Sequence, residues 1–126
     1  MSLRTPLGRV LGLGSAKDGA SHWWGQRVSA VALLMLGLWF AFTLATMGGF
    51  SHAQVIAFVA QPINGVLLLL LTAVLAYHSY LGIQVVIEDY IHAPGIKVPA
   101  LLLSRYLHAL LAVAGIYAIL KIGLGA

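Results

Sequence analysis

One long apolar stretch of the sequence contains a metal-binding side chain and ends in two groups that exchange protons. His78 lies inside the stretch, and Asp89 and Tyr90 lie at its end. A neutral imidazole is a common ligand of haem iron, whereas a carboxylate and a phenol can form hydrogen bonds and transfer protons. Ionisable groups within membrane spans are functional-site candidates because lipid solvates them poorly. The pattern therefore predicts a cofactor held inside a bilayer.

The spacing of these residues places them on one side of a helix. At about 100° per residue, Asp89 lies about 20° past three full turns from His78, and Gly82 and Val85 fall on the same stripe. A glycine one turn after the histidine leaves room for a flat ligand or a neighbouring helix. A b-type haem in a membrane needs an imidazole from each side, so a second subunit would supply the other. The alternative is that His78 hydrogen-bonds a carbonyl or hydroxyl group of an adjacent helix.

The remaining histidines are weaker ligand candidates. His22, His52 and His92 lie outside the apolar runs, so we expect them to be solvated. His108 is the rival ligand because it lies within a third apolar run, but its position near the cytoplasmic end favours a polar contact. Arg105, just before it, suggests an anionic neighbour.

The composition excludes an ordinary soluble domain. Of 126 residues, 61% are hydrophobic and only 8% are charged, whereas soluble domains carry about 25% charged residues. The length allows one domain, residues 1–126, and a small bundle of spans buries little surface unless it packs on partners. The absence of cysteine excludes disulfides, thiolate metal sites and iron-sulfur ligation in this chain. The basic residues flank the apolar runs without forming a cluster, so we expect no nucleic-acid binding.

Three apolar intervals predict an all-α, integral membrane bundle of three transmembrane helices. We place the spans at residues 28–47, 63–88 and 99–122, after an N-terminal segment at 1–27. The charge-free part of the third run is too short to cross, so that span must extend past its flanking charges. The segment at 52–61 is too short to cross and would form either a brief interfacial helix or a plain loop.

The distribution of basic residues predicts the orientation. Four Lys or Arg residues lie in 1–27, none lies between the first two spans, and Lys97 and Arg105 follow the second. By the positive-inside rule, the N-terminus is cytoplasmic and the C-terminus periplasmic. The basic segment is too long for a secretory signal. We therefore expect a protein of the bacterial cytoplasmic (inner) membrane.

Two motifs resemble those of a known family. HSYLGIQVVIEDY at 78–90 and WWGQRVSAVALL at 23–34 resemble the smaller of the two hydrophobic membrane anchors of bacterial succinate dehydrogenase, which is respiratory Complex II. The resemblance implies a subunit that is not catalytic alone, with ubiquinone as the substrate of the whole enzyme. It also implies a haem b shared with a second cytochrome b anchor subunit. The iron-sulfur and flavoprotein subunits would lie on the cytoplasmic face, in agreement with the predicted orientation.

The resemblance also implies roles for individual residues. His78 would be an axial ligand of the haem iron, and Tyr90 would hydrogen-bond a ubiquinone carbonyl. Arg27 would lie near the haem propionates and the quinone pocket, and Asp89 would be the acidic neighbour of that pocket. The residues alone leave simpler roles open, because Arg27 can anchor the first span and Asp89 can be a solvated carboxylate at a helix end.

Other functions are compatible with parts of the pattern. The anchor of a fumarate reductase or of another quinone-linked cytochrome b would look similar. A small proton-coupled transporter would also be apolar and basic, but it would place a carboxylate deep within a span, whereas both acids here lie at the end of one. A cofactor-free scaffold is the third alternative. We expect three further polar side chains to make ordinary interhelical contacts: Gln26, Ser29 and Gln84.

Overall fold

Four helices account for most of residues 18–125, the part of the chain that a computed structural model describes. They are α1 (Asp18–Thr46), α2 (His52–Ala60), α3 (Pro62–Tyr90) and α4 (Pro94–Gly123). Of these, α1, α3 and α4 are long and apolar enough to cross a membrane. The prediction of an all-α fold with three spans is confirmed. Most of the predicted N-terminal segment lies outside the described residues.

Two helices begin earlier than the predicted spans. The helix α1 begins well before Val28, because a charge such as Arg27 ends an apolar run but does not end a helix. The helix α4 begins at Pro94, where the missing amide hydrogen has no helical partner to lose. Pro99 lies inside α4, although the sequence suggested it as the start. Apolar length therefore underestimates helix length at the cytoplasmic ends predicted for α1 and α4.

The connection between the first two spans contains a helix, α2, so this segment is helical and is not the plain loop of the second alternative. Its start is fixed by a capping box, in which the amide of Gln54 donates to Ser51 Oγ at 3.3 Å and the amide of Ser51 donates to Gln54 Oε1 at 3.0 Å. The ring of Phe58 stacks on Trp39 of α1, with centroids 6.3 Å apart. The ring contact joins the short helix to the bundle.

The helix α3 packs against both α1 and α4. Among the side chains described, those that are buried are Leu81, Ser29 and Ser104, and two of these three are polar. The outward faces of all three long helices are exposed and apolar, as lipid or a partner protein requires. The bundle therefore places its hydrogen-bonding groups between helices, and both serines lie close to a histidine.

A tight contact between α3 and α4 provides a test of this packing. A Cβ atom added at Gly115 would lie 2.9 Å from Thr72 Cγ2. Threonine is β-branched and rigid in a helix, so Gly115→Ala should force the helices apart and destabilise the protein by about 1 to 3 kcal/mol. Thermal unfolding of the detergent-solubilised protein measures this loss.

Thr72, the other residue of this contact, provides the control. Thr72→Ser removes the clashing methyl group, so the double variant Gly115→Ala/Thr72→Ser should be more stable than the two separate losses predict. Gly37→Ala is a matched substitution, because a Cβ atom added there would meet no atom of another helix within 4 Å among the described residues, and it should have little effect. Strictly additive losses in the double variant would contradict the packing described above.

Candidate functional site

His78 lies on the face of α3 that packs against α1, and each of its ring nitrogens faces a side chain of α1. Its Nδ1 is 2.8 Å from Ser29 Oγ, and its Nε2 is 3.3 Å from the amide nitrogen of Gln26. The hydroxyl of Ser29 also donates to the backbone carbonyl of Gln26 at 3.1 Å. The imidazole is therefore held by two residues one turn apart on the neighbouring helix.

The placement of the Gln26 amide nitrogen beside His78 Nε2 assigns the tautomer of the imidazole. A hydroxyl has one proton, and that of Ser29 is directed to the Gln26 carbonyl, so Ser29 Oγ accepts a hydrogen bond from His78 Nδ1–H. His78 Nε2 then carries a lone pair and accepts the hydrogen bond of the Gln26 amide. A neutral histidine binds a metal through such an unprotonated nitrogen, while its other N–H is held by a second group.

A cleft of about 510 Å³ lies beside Gln26, between α1 and α3. Two buried polar atoms near it, His22 Nε2 and Gln26 Oε1, have no hydrogen-bond partner among the described residues. Buried polar atoms of this kind usually have a partner, so a ligand or a second subunit is expected to supply one. The residues that line the cleft are His22, Trp23, Gln26, Arg27, Gln84, Val85 and Glu88.

The predicted stripe on α3 faces α1. A Cβ atom added at Gly82 would lie 3.7 Å from the amide nitrogen of Gln26, and Val85 lines the cleft. Arg27 lies at the same cleft, with its guanidinium 3.8 Å from the centre of the Trp23 ring. This cation–π contact directs the charge toward the cleft and holds it close to an apolar surface. Of the residues predicted for the site, His78 and Arg27 are thus brought to the same helix pair.

Asp89 and Tyr90 lie elsewhere, at the last turn of α3. Both side chains are exposed, and Tyr90 is 80% exposed. The acidic residue that reaches the cleft is Glu88, whose carboxylate accepts a hydrogen bond from Gln84 at 2.8 Å. Lys97 donates to the backbone carbonyl of Glu88 at 2.8 Å, which favours the end of α3 at this point. The described chain therefore does not form one pocket from Arg27, Asp89 and Tyr90.

The second intramembrane histidine, His108, has a hydrogen-bond partner for each of its ring nitrogens. His108 Nδ1 donates to the backbone carbonyl of Ser104 at 2.7 Å, and the hydroxyl of Ser79 donates to its Nε2 at 3.1 Å. Both nitrogens of His108 are used, one of them to join α4 to α3. This agrees with the polar contact predicted for it, and Arg105 beside it is exposed.

Sequence reasoning missed several members of the site. His22 was expected in water, but its Nε2 is buried at the cleft, so that expectation is wrong. His52 and His92 are exposed, as expected. Within residues 18–125, no three His, Cys, Asp or Glu side chains form a group that could hold a metal ion.

Comparison with known proteins identifies the family. Residues 1–120 match the family described as the transmembrane subunit of succinate dehydrogenase and fumarate reductase. This chain belongs to that family. The succinate dehydrogenase hydrophobic membrane anchor subunit of Paracoccus denitrificans is 34% identical over 97% of this chain and 94% of its own length. That of Rickettsia bellii is 36% identical over 92% and 93%, and the membrane anchor subunit of Reclinomonas americana is 30% identical over 71% and 77%.

Family membership agrees with the fold and the exposed apolar surfaces. Three long apolar helices make the chain a multi-pass anchor of the bacterial inner membrane. A subunit that is mostly exposed by itself is expected to be covered by lipid and by the other members of a complex. The resemblance inferred from the two sequence motifs is therefore confirmed.

The closed contacts of His108 predict that it is structural. His108→Leu should destabilise the anchor by about 0.6 to 2 kcal/mol, because it removes one bond between helices and leaves the Ser79 hydroxyl without its acceptor. Thermal unfolding of the complex measures the loss, with the exposed His92→Leu as the control. The absorption of any b-type haem should be unchanged in both variants. Loss of that absorption from an assembled His108→Leu complex would show that His108 is a ligand.

Proposed function

We propose that this anchor supplies His78 as one axial ligand of a haem b and contributes to the ubiquinone reduction site of a succinate dehydrogenase. The observation that supports the proposal most strongly is the orientation of His78. Its Nδ1–H is bonded to Ser29, and its Nε2 lone pair faces a cleft-lining amide that can move. The imidazole is thus prepared for a ligand role, and a second anchor subunit would supply the opposite imidazole.

The residues around His78 fit a haem. The Gln26 amide is the only group that hydrogen-bonds His78 Nε2 among the described residues, and the long contact of 3.3 Å makes it readily displaced. Arg27 suits an anionic propionate because its guanidinium is always charged and presents several donors. When bound, a haem b would supply one-electron transfer. The role of this chain is to bind and orient it, and to keep its surroundings largely apolar.

The quinone site would be completed by other subunits. Reduction of a quinone to a quinol takes up two electrons and two protons, so the site needs hydrogen-bond donors and a path to water. Tyr90, exposed at the end of α3, can donate its phenolic proton in a hydrogen bond to a quinone carbonyl. Asp89 precedes it and can orient the phenol or carry protons inward. Their exposure in the single chain agrees with a pocket formed against a partner.

The remaining subunits follow from the same assignment. As an anchor of this family, the chain would receive electrons from a flavoprotein subunit and an iron-sulfur subunit. The predicted cytoplasmic N-terminus places the Arg27 end of α1 and the Tyr90 end of α3 on the side where these subunits would bind. The anchor of a fumarate reductase remains the nearest alternative, since the matching family includes both enzymes.

The cofactor-free alternative makes a different prediction for His78. The hydroxyl contact that this alternative requires is present, because Ser29 is bonded to Nδ1. The second nitrogen of His78 has only the longer contact of 3.3 Å with Gln26, however, whereas the two nitrogens of His108 have partners at 2.7 and 3.1 Å. A transporter is disfavoured because Glu88 and Asp89 are exposed at the end of α3 and no carboxylate lies deeper in that helix.

Replacement of the proposed ligand tests the haem assignment. His78→Leu should abolish the reduced-minus-oxidised b-type band of the purified complex, or convert the haem to a high-spin form, because one axial ligand is lost. The measurement is visible and electron paramagnetic resonance (EPR) spectroscopy, with His108→Leu as the intramembrane control. An unchanged low-spin b-type spectrum in His78→Leu would remove the assignment.

Replacement of the phenol tests the quinone assignment. Tyr90→Phe should lower the quinone reductase activity by about 10-fold or more, because a hydrogen bond to the substrate is lost while the ring remains. Haem content and subunit assembly should be nearly unchanged. Tyr106→Phe, at an exposed tyrosine of α4, is the matched control and should retain activity. If Tyr90→Phe lowers activity, haem and assembly together, Tyr90 is structural instead.

A further inference from the structure

We propose that Ser29 is the positioning residue of the haem ligand, an inference that rests on the function proposed for His78. In this role, the Ser29 hydroxyl accepts the hydrogen bond from His78 Nδ1–H and so presents the Nε2 lone pair to the iron. It also increases electron donation by the imidazole. Ser29 would then affect both the retention of haem and its reduction potential without touching the haem.

The environment of Ser29 supports this role. Its side chain is buried, with 5% of the residue exposed, at the interface of α1 and α3. Serines inside helices often donate to the carbonyl three or four residues earlier, and Ser29 does so to Gln26. That bond alone would explain a serine packed in a helix. The additional contact of 2.8 Å with His78 Nδ1 uses the lone pairs that the first bond leaves available.

The directions of these hydrogen bonds explain how Ser29 would act on His78. Because the Gln26 amide nitrogen donates to Nε2, the ring proton is on Nδ1 and is donated to the Ser29 hydroxyl, whose own proton goes to the backbone carbonyl of Gln26. Hydrogen bonds of this kind orient metal-bound histidines and raise their basicity, and their loss typically costs about 10- to 100-fold in metal affinity. A more basic imidazole favours the ferric state, which carries the higher charge.

Gln26 explains how the nitrogen stays available before haem binds. Its amide lies 3.3 Å from His78 Nε2, and its own Oε1 is buried without a partner among the described residues. A long bond on one side and an unsatisfied oxygen on the other make this side chain easy to displace. The cleft beside it, which also contains Arg27, offers space into which the amide can move.

His108, the second histidine within a span, is also surrounded by serines, but its contacts are those of a structural residue. There the buried Ser104 supplies a backbone carbonyl to His108 Nδ1, and Ser79 donates its hydroxyl to Nε2. No nitrogen of His108 is left for a ligand. Ser104 is therefore a matched control for Ser29, since both are buried serines beside a histidine of a span.

The test uses the assembled four-subunit complex with Ser29→Ala, Ser29→Thr and Ser104→Ala. For Ser29→Ala we expect haem to dissociate to a soluble acceptor roughly 10- to 100-fold faster. We also expect its reduction potential to rise and its low-spin EPR signal to shift. Ser29→Thr should restore all three, because it keeps the hydroxyl and its methyl group can enter a groove of about 560 Å³ that borders Ser29. Ser104→Ala should change none of them.

Three results would overturn the inference. These are an unchanged potential and EPR signal in Ser29→Ala, an effect of Ser29→Thr as large as that of Ser29→Ala, and an equal effect of Ser104→Ala. If Ser29→Ala does not assemble, the potential and EPR signal of Ser29→Thr and Ser29→Asn decide the matter. Wild-type values in Ser29→Thr and shifted values in Ser29→Asn are then expected, and wild-type values in both contradict it.

The same set of variants separates this inference from the proposed function. Loss of the b-type band in His78→Leu, with wild-type haem properties in Ser29→Ala, would refute the role of Ser29 and leave the ligand assignment standing. An unchanged low-spin b-type spectrum in His78→Leu would refute both, because Ser29 acts only through that imidazole.

Discussion

The structure depends on one constraint, which is that an imidazole inside a membrane must have partners for both of its nitrogens. At His78 the chain meets this constraint with a short bond to Ser29 and a longer one to Gln26. Lipid cannot replace either partner, so the register of α1 against α3 is tied to these contacts. The same constraint at His108 ties α4 to α3. The two histidines thus fix the bundle, and only one of them leaves a nitrogen that a cofactor could take.

The bundle is an incomplete unit, and its surfaces show where other molecules belong. The three long helices expose apolar faces, and the buried side chains among the described residues are one leucine and two serines. The cleft between α1 and α3 contains two buried polar atoms that have no hydrogen-bond partner among the described residues. The exposed Tyr90 follows the cleft-lining residues of α3 in the sequence. An anchor of this kind gains stability from the molecules that cover these surfaces, since binding to the folded state stabilises it.

The sequence predicted those features that depend on local pattern. The lengths of the apolar runs predicted the three spans. The spacing of His78, Gly82 and Val85 predicted a face of α3 for a ligand or a neighbouring helix, and this face contacts α1. The short helix α2 could have been assigned from its capping box, Ser51 with Gln54. The roles of Ser29 and Glu88 could not be predicted, because they depend on the register between helices, and a single sequence does not encode that register in any local spacing.

The most direct test of the central claim is a density map of the assembled complex that resolves the ring of His78. We expect Nε2 to be bonded to the iron of a haem shared with a second anchor subunit, Nδ1 to remain bonded to Ser29, and the Gln26 amide to have moved away. A map in which Nε2 keeps its contact with Gln26 and no porphyrin lies beside the ring would contradict the claim.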